Sequence, residues 1–372
     1  MASTSIKKKV VNLLKYADIK INGKRPWDIQ VKNEKIYKRV LSEANMGLGE
    51  GYMDGWWTAK SVDKFIFKLV SANLHKRIKK TPSMAALYLR AKFSNKQKSR
   101  SYHIGDWHYD IGNELYTKML DKNMQYSCGY WKNAKTLDKS QLDKMDLICK
   151  KLKLKKGMTL LDIGCGWGGL AKYAAKKYGV KVLGITVSNE QAKLARENCK
   201  GENVRIEVLD YRKLNQKFDR IVSVGMFEHV GPKNYKEYMK VANRCLKDDG
   251  IFLLHTIGSN KSNMSGEPWM DKYIFPDGVI PSIKQIAKAA EKLFFIEDIH
   301  NFGAYYDKTL MAWHANFKKS WSKIKKNYDE RFYRMWEYYL LSCAGSFRAR
   351  YNQLFQVILT KKGLVGGYER VS

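Results

Sequence analysis

LLDIGCGWGGLA (residues 160–171) closes an apolar run, MTLLDIG, with alternating glycines and then turns into a helix-forming stretch. The apolar run reads as a buried strand, and GGLAKYAAKKYG reads as a helix that ends at Gly179. Gly164, Gly166 and Gly168 let the backbone turn sharply and approach a ligand closely. The helix that follows offers free N–H groups at its start. A dinucleotide site presents GxGxxG. Here the spacing is DxGxGxGG, with Asp162 two residues before the first glycine. That arrangement suits the amino-acid end and ribose of S-adenosylmethionine better than a pyrophosphate.

From about residue 140, strands alternate with helices outward from this motif. VKVLGITV, VRIEVLD, FDRIVSVG and GIFLLHTIG read as strands, and FQVILTKK as a last strand. Strand–helix alternation predicts a parallel sheet with helices on both faces, so the class is α/β. The second strand ends at Thr186, where a dinucleotide fold places a ribose-binding acid. A threonine hydroxyl can bond one ribose hydroxyl, and Gln191 can supply the rest. Ser188–Gln191 (SNEQ) predicts a capping box. Asp210, in LDY, is placed to reach the adenine amino group, or serves as a turn residue at the strand end. Tyr211 is placed to lie against the ring.

The first 90 residues read as a small mixed α+β domain. VVNLLKYADI has helical spacing, and IKINGKRPWDIQVKN predicts two strands about an Asn-Gly turn. EKIYKRVLSEANMGLGEGYMDGWW predicts one helix that breaks at its glycines. SVDKFIFKLVSANLHKRIKK predicts an amphipathic helix with a basic end. Trp56, Trp57 and Met53 are either interfacial or the core of this domain. KFSNKQKSRSYHIGD reads as a linker. The boundaries are 1–90 for the N-terminal domain, 91–107 for a basic linker and 108–372 for the cofactor-binding domain.

With 372 residues and 44% hydrophobic content, the chain can fill a core of ordinary size. No apolar run approaches the roughly 18–20 residues that span a bilayer. The N-terminal lysines precede only a short, interrupted apolar stretch, which argues against a secretory signal. The six cysteines form no CxxC pair and suit free thiols in a reducing cytoplasm. No metal site is expected from their spacing. The net charge is +33, a field that seeks polyanions, either nucleic acid or an anionic membrane. Residues 1–100 hold 23 basic and 7 acidic residues, and 75–100 hold nine basic residues and no acidic one. A solvated face would give the same pattern, and charge alone does not choose between RNA and lipid.

Two further stretches sharpen the reading, GMFEHVG (225–231) and LLHTIG (253–258). Together with NMGLGEGYMDGWW, HYDIGNELY, MQYSCGYW, LLDIGCGWGGLA and CAGSFRAR, in this order along essentially the whole chain, they resemble the cyclopropane-fatty-acyl-phospholipid synthases of the bacterial two-domain type. The resemblance implies a seven-stranded, Rossmann-like class I methyltransferase domain with a reversed last strand. It also implies transfer of a methylene unit from S-adenosylmethionine to the cis double bond of an acyl chain on an intact phospholipid. A carbocation forms, bound bicarbonate removes a proton from the new methyl, and the ring closes. Such a site must be dry and lined by aromatic faces that tolerate positive charge.

Cys128, alone among the aromatics of MQYSCGYW, reads by itself as core filler, nucleophile or ligand. The resemblance makes it a bicarbonate-holding residue, acting through its backbone N–H. Glu228 is implied as a second ligand. A carboxylate beside an anion needs a shared proton or a histidine, and His255 is expected as that partner, with the backbone of Ile257 as the next contact. Tyr306 is expected to complete the pocket, with Tyr305 as its possible confusion. Tyr126 and Ser127 are expected to face the cofactor, and Tyr109 to line the cavity. His229 reads as structural. Cys343 is a candidate with a packing role as its alternative, since a thiol nucleophile has no step in this reaction. The insert at about 269–340 is expected to cover the acyl channel.

The implied partners are unsaturated phospholipids and the anionic inner face of the cell membrane, with the protein cytoplasmic, peripherally bound and homodimeric. An RNA methyltransferase is the competing reading from the charge. It lacks an NPPY-type motif and a paired catalytic cysteine arrangement, so no nucleic-acid partner is expected. A non-catalytic lipid-docking protein would not need the full set of pocket residues.

Overall fold

The computed structural model of the chain describes residues 2–74 and 112–372. The basic segment 75–100, the linker 91–107 and Tyr109 lie outside the described residues. In chain order the described elements are α1 (Ala2–Tyr16), β1 (Ile29–Val31), α2 (Lys35–Glu43), α3 (Asn45–Met53), β2 (Trp57–Ala59), α4 (Val62–Ser71), α5 (Asn113–Met119) and α6 (Leu137–Lys151). They continue with β3 (Thr159–Ile163), α7 (Gly169–Tyr178), β4 (Lys181–Thr186), α8 (Asn189–Asn198), β5 (Val204–Val208), β6 (Phe218–Val224), α9 (Tyr235–Cys245) and β7 (Leu246–Ser259). The last are α10 (Pro268–Tyr273), α11 (Ile283–Ala290), β8 (Phe295–Asn301), α12 (Ala304–Ile324), α13 (Glu330–Arg348) and β9 (Asn352–Thr360).

These form two compact units. Among the described residues, one unit gathers 2–74, 265–276 and 306–352, and the other gathers 112–264, 277–305 and 353–372. The sequence pattern assigns everything after residue 107 to one domain. Compactness instead groups α10, α13 and most of α12 with the N-terminal elements, and it divides the expected 269–340 insert between the units.

The second unit is built on a seven-stranded sheet of order β5-β4-β3-β6-β7-β9-β8. β3 runs parallel to β4 and β6, and the β4–β5 and β6–β7 pairs are parallel too. β9 enters between β7 and β8 and runs antiparallel to β8. The inner strands β3, β6, β7 and β9 bury residues on both faces because both faces are covered. Leu161, Ile221, Phe252 and Leu254 face a core with Tyr238, Met239 and Ile286. Their neighbours Leu160, Val222 and Leu253 face the opposite core with Met145, Ile148, Leu170 and Ala174. The α/β class and the seven strands are therefore as the sequence predicts.

The first unit departs from two local predictions. The stretch about Asn22-Gly23 is not a hairpin. β1 pairs instead with β2, Ile29 opposite Ala59 and Val31 opposite Trp57. Asp28 is the cause. Its buried carboxylate accepts the N–H of Lys20 (2.8 Å) and Arg25 (3.0 Å) and the Arg25 guanidinium (2.9 Å), so residues 19–28 loop around it.

The second departure is the helix break. It falls at Ala44, with φ of 50°, and Gly47, Gly49 and Gly51 lie inside α3, while Gly55 follows its end with φ of 71°. Those inside the helix serve close approach rather than flexibility. A Cβ on Gly49 would sit 2.5 Å from the Trp269 ring, and one on Gly51 would sit 2.3 Å from Ile36 Cδ1. Gly49→Ala is therefore expected to cost about 1–3 kcal/mol through overpacking. Chemical denaturation followed by tryptophan fluorescence measures this, and an unchanged midpoint would show that the Trp269 ring moves aside freely.

Trp57 and Met53 are core residues of this unit, and Trp56 lies under the Arg39 guanidinium at 5.0 Å. α4 buries Val62, Phe65 and Ile66 on one stripe. Arg334 of α13 donates to the Trp57 carbonyl (3.0 Å), and Arg348 bridges Asp63 (2.7 Å) and Asp307 (2.8 Å). Among the described residues, no helix is long and apolar enough to cross a membrane.

Candidate active site

In an open sheet of this kind, ligands bind beyond the carboxyl ends of the strands, at the point where strand order reverses. That point is β3, flanked by β4 on one side and β6 on the other. The predicted site residues of the sheet unit collect at these ends. Asp162 and the glycines close β3, and Thr186 closes β4. Asp210 and Tyr211 follow β5, and Glu228 follows β6. His255 sits in β7 opposite Val224, level with the end of β6.

The glycine loop meets the conformational demand read from its sequence. Gly164, Gly166 and Gly168 have φ of 84°, 54° and 80°. The N–H groups of Gly164 and Cys165 both donate to the Ile185 carbonyl (2.9 and 3.0 Å), which ties the loop to β4. Among the described residues, a Cβ on Gly166 or on Gly225, at the ends of β3 and β6, would meet nothing within 4 Å. Asp162 is buried beside the loop, and burial pushes its carboxyl up to about 7 against the pull of Lys144.

Thr186 and Gln191 are brought together, the threonine Oγ1 donating to the Gln191 Oε1 at 2.8 Å. Ser188 caps α8 by accepting the Gln191 N–H (3.2 Å), but the reciprocal half of the predicted capping box is absent because Gln191 has turned to Thr186. A complete box stands at Ser282–Gln285, at the start of α11. Asp210 accepts the Arg212 N–H (3.0 Å) and its guanidinium Nε (3.0 Å), so an adenine amino group would share that carboxylate with Arg212. Tyr211 packs edge-on against Tyr238, with centroids 5.1 Å apart.

Segment 121–129 carries Tyr126, Ser127 and Cys128 and is held by α6. Gln141 donates to the Ser127 carbonyl (2.8 Å), and Lys144 donates to Ser127 Oγ (2.7 Å) and to Gln125 Oε1 (2.8 Å). Tyr126 meets the edge of Tyr116, which in turn packs on Trp167 of the glycine loop, at centroid distances of 5.2 and 5.0 Å. Cys128 is fully buried, its thiol directed at the Gly129 carbonyl at 3.4 Å.

Glu228 and His255 are not paired as expected. Glu228 Oε1 accepts the N–H of Ile257 at 2.7 Å, so that backbone group serves the carboxylate itself. His255 Nδ1 lies 3.2 Å from Gln356 Nε2 on β9. With the amide in this orientation it donates to Nδ1, which leaves the imidazole's own proton on Nε2. Burial pushes Glu228 up to about 7, opposed by the Ile257 N–H. Burial, reinforced by Lys144 and Lys151, holds His255 well below the usual imidazole range, so it is neutral. Among the described residues, Glu228 Oε2 and His255 Nε2 are buried with no hydrogen-bond partner. Such atoms are costly unless a ligand satisfies them.

Two predicted residues belong to the other unit. Tyr306 packs there on Phe347 and Trp313, with centroids at 4.5 and 6.0 Å, whereas Tyr305 packs edge-on against Tyr130 of the sheet unit at 5.6 Å. Cys343 lies on α13, where burial and the nearby Glu267 push its thiol up to about 12, far from a thiolate nucleophile. His229 is half-buried, and burial of its ring pushes it down to about 4, so it is neutral. Sequence reading missed Lys144, Gln125 and Gln356. Lys144 was detectable, since it falls on the stripe of α6 with Gln141, Met145 and Ile148, where an apolar residue belongs.

The family model for mycolic acid cyclopropane synthetase matches residues 96–357. The cyclopropane-fatty-acyl-phospholipid synthase of Escherichia coli (strain K12) is 54% identical over 353 residues, covering 94% of this chain and 92% of the relative. A probable fatty acid methyltransferase of Pseudomonas putida is 39% identical over 270 residues, 68% of each chain. Among solved structures, the mycolic acid cyclopropane synthase CmaA1 complexed with SAH and CTAB superposes with a TM-score of 0.66 at 32% identity, over 70% of this chain and 98% of that one. The glycine loop at the switch point and the extent of these matches lead to one conclusion: the chain belongs to the mycolic acid cyclopropane synthetase family and is an S-adenosylmethionine-dependent methyltransferase.

Proposed function

We propose that the chain adds a methylene unit to the cis double bond of unsaturated acyl chains in membrane phospholipids, forming a cyclopropane ring. S-adenosylmethionine supplies the methyl carbon, and bound bicarbonate supplies the base that takes a proton from it. The observation that carries the second part is the pair of unpartnered buried atoms. With the ring proton on Nε2 and the carboxyl ionised, His255 offers a donor and Glu228 Oε2 an acceptor. Bicarbonate carries both acceptor oxygens and one O–H, so its chemistry matches both atoms.

The protein's own groups have limited tasks in this reading. Asp162, Thr186, Gln191, Asp210 and Tyr211 hold the cofactor along the strand ends. Ile257 fixes one oxygen of Glu228 so that the other stays directed at its ligand. Gln356 fixes the His255 tautomer. Cys128 contributes its backbone N–H. The N-terminal unit and the basic charge dock the protein on the cytoplasmic face of the membrane, as a homodimer, at about 1 kcal/mol per Lys or Arg near an anionic surface.

The test is an assay of the full chain with S-adenosylmethionine, bicarbonate and vesicles of cis-monounsaturated phospholipid at varied anionic content, read by mass spectrometry of the acyl chains and by proton NMR. Gain of one CH₂ with loss of the olefin and a ring-proton signal is expected, with turnover rising with anionic lipid and falling with salt. Turnover indifferent to bicarbonate removes the anion from the reading. Label appearing in RNA, with the acyl chains unchanged, overturns the reading altogether.

A further inference from the structure

α6 carries a lysine where its neighbours are core. Lys144 is fully buried, between Gln141 and Met145 on the inward stripe of its helix. A buried ammonium is costly unless its protons and charge are answered. Two of its protons go to Ser127 Oγ (2.7 Å) and Gln125 Oε1 (2.8 Å), both on the segment that carries Cys128. Gln125 is anchored in turn by donating its N–H to Asp121 Oδ1 (2.8 Å) and its side-chain amide to the Asn123 carbonyl (3.1 Å). That stretch abuts the cofactor loop, since a Cβ on Gly169 would fall 2.0 Å from the Asn123 carbonyl.

The charges facing Lys144 come from several elements. Asp121 and Cys128 lie on the loop after α5, and Asp162 lies at the end of β3. Asp162 is the acid of the cofactor motif, and Cys128 belongs to the proposed anion pocket. The field of Lys144 also reaches His255, whose protonation it opposes. Burial lowers Lys144 to about 8, with Asp121, Cys128 and Asp162 opposing the loss of its proton. It is therefore charged at neutral pH. A neutral helix side chain of the same length would pack the stripe at lower cost, so the charge itself needs a purpose.

We infer that Lys144 is a positioning residue of the reaction: its ammonium fixes segment 125–128 against the cofactor loop and balances the charge of the anion taken up at Glu228 and His255. The inference rests on the bicarbonate reading. It accounts for a buried cation hydrogen-bonded to the segment that carries Cys128, in a site whose other polar groups, a neutral imidazole and a carboxyl, bring no positive charge to an anion. Charge-assisted contacts and a low local dielectric make such a charge far more effective than one at the surface.

The experiment is calorimetric titration of bicarbonate into the full chain loaded with S-adenosylhomocysteine, for wild type, Lys144→Met and Lys144→Arg, at pH values from 7 to 9.5. At pH 7, Lys144→Met is expected to bind bicarbonate at least tenfold more weakly than wild type, with S-adenosylhomocysteine affinity changed less than threefold. Wild type is expected to lose affinity above about pH 8 as Lys144 gives up its proton, and Lys144→Arg to retain it to pH 9.5, because a guanidinium stays charged. Should Lys144→Met not fold, the wild-type and arginine profiles decide alone. Parallel profiles, or equal affinity in the methionine variant, overturn the role of Lys144 while leaving bicarbonate in place. A wild type that binds no bicarbonate overturns the anion reading and this inference with it.

Discussion

Glu228→Gln lowers turnover by about 10²–10⁴-fold, the range over which positioned proton-handling groups contribute, while S-adenosylhomocysteine binding stays within threefold of wild type. The substitution is nearly isosteric. The amide oxygen can still accept the Ile257 N–H that Glu228 Oε1 accepts at 2.7 Å, so the turn at 227–229 is preserved. What changes is the second position. Among the described residues Glu228 Oε2 has no hydrogen-bond partner, and the amide replaces that oxygen with two donors. A ligand that offers its own proton there meets a donor instead, and that mismatch in a dry site costs far more than at a surface. Single-turnover kinetics with cis-unsaturated vesicles give the rate, and calorimetry gives the binding. Loss of S-adenosylhomocysteine affinity in step with turnover would make Glu228 a cofactor residue instead, and unchanged turnover would remove it from the mechanism.

Trp57→Ala is expected to destabilise the first unit by about 3–5 kcal/mol, the cost of emptying a fully buried aromatic site. The ring is 0% exposed and packs within 5.0 Å of the Tyr52 and Phe65 rings. Its indole N–H donates to the Leu48 carbonyl at 2.9 Å, which the variant leaves unsatisfied. Hydrogen exchange locates the damage. Amides of α4 and α13 should lose protection, while those of β3 and β6 keep theirs. Equal loss in both sets would mean that the two units unfold as one, and no loss in α4 would mean that Trp57 carries little of the packing.

The sheet unit was legible because its demands are written locally. Buried strands need unbroken apolar runs, and the glycine loop needs positive φ at Gly164, Gly166 and Gly168. The first unit was harder for a physical reason. Gly47, Gly49 and Gly51 read as helix breakers, yet they are required by groups at other positions, Arg39, Trp269 and Ile36, and Trp269 lies more than 200 residues along the chain. The Asn-Gly turn yielded to Asp28, whose carboxylate gathers backbone donors that a hairpin would have paired otherwise. Within the site, Glu228, His255 and Ile257 were named, but their pairing was not. The partner of His255 is Gln356, on a strand whose place in the sheet cannot be read from order along the chain.

That strand has a consequence for how the protein comes into being. β9 is the last strand to be synthesised, yet it occupies an interior position between β7 and β8. A nascent chain that has emerged only as far as β8 has no neighbour in place for that strand and leaves a bare edge on β7, a state open to mispairing. The same strand delivers Gln356 to His255. The ribosome therefore releases the histidine's orienting partner after the other residues of the proposed site, so the geometry of the proposed base site is set only when the sheet closes. A partly made chain that already presents the glycine loop still lacks an oriented His255, which couples the onset of chemistry to the completion of folding.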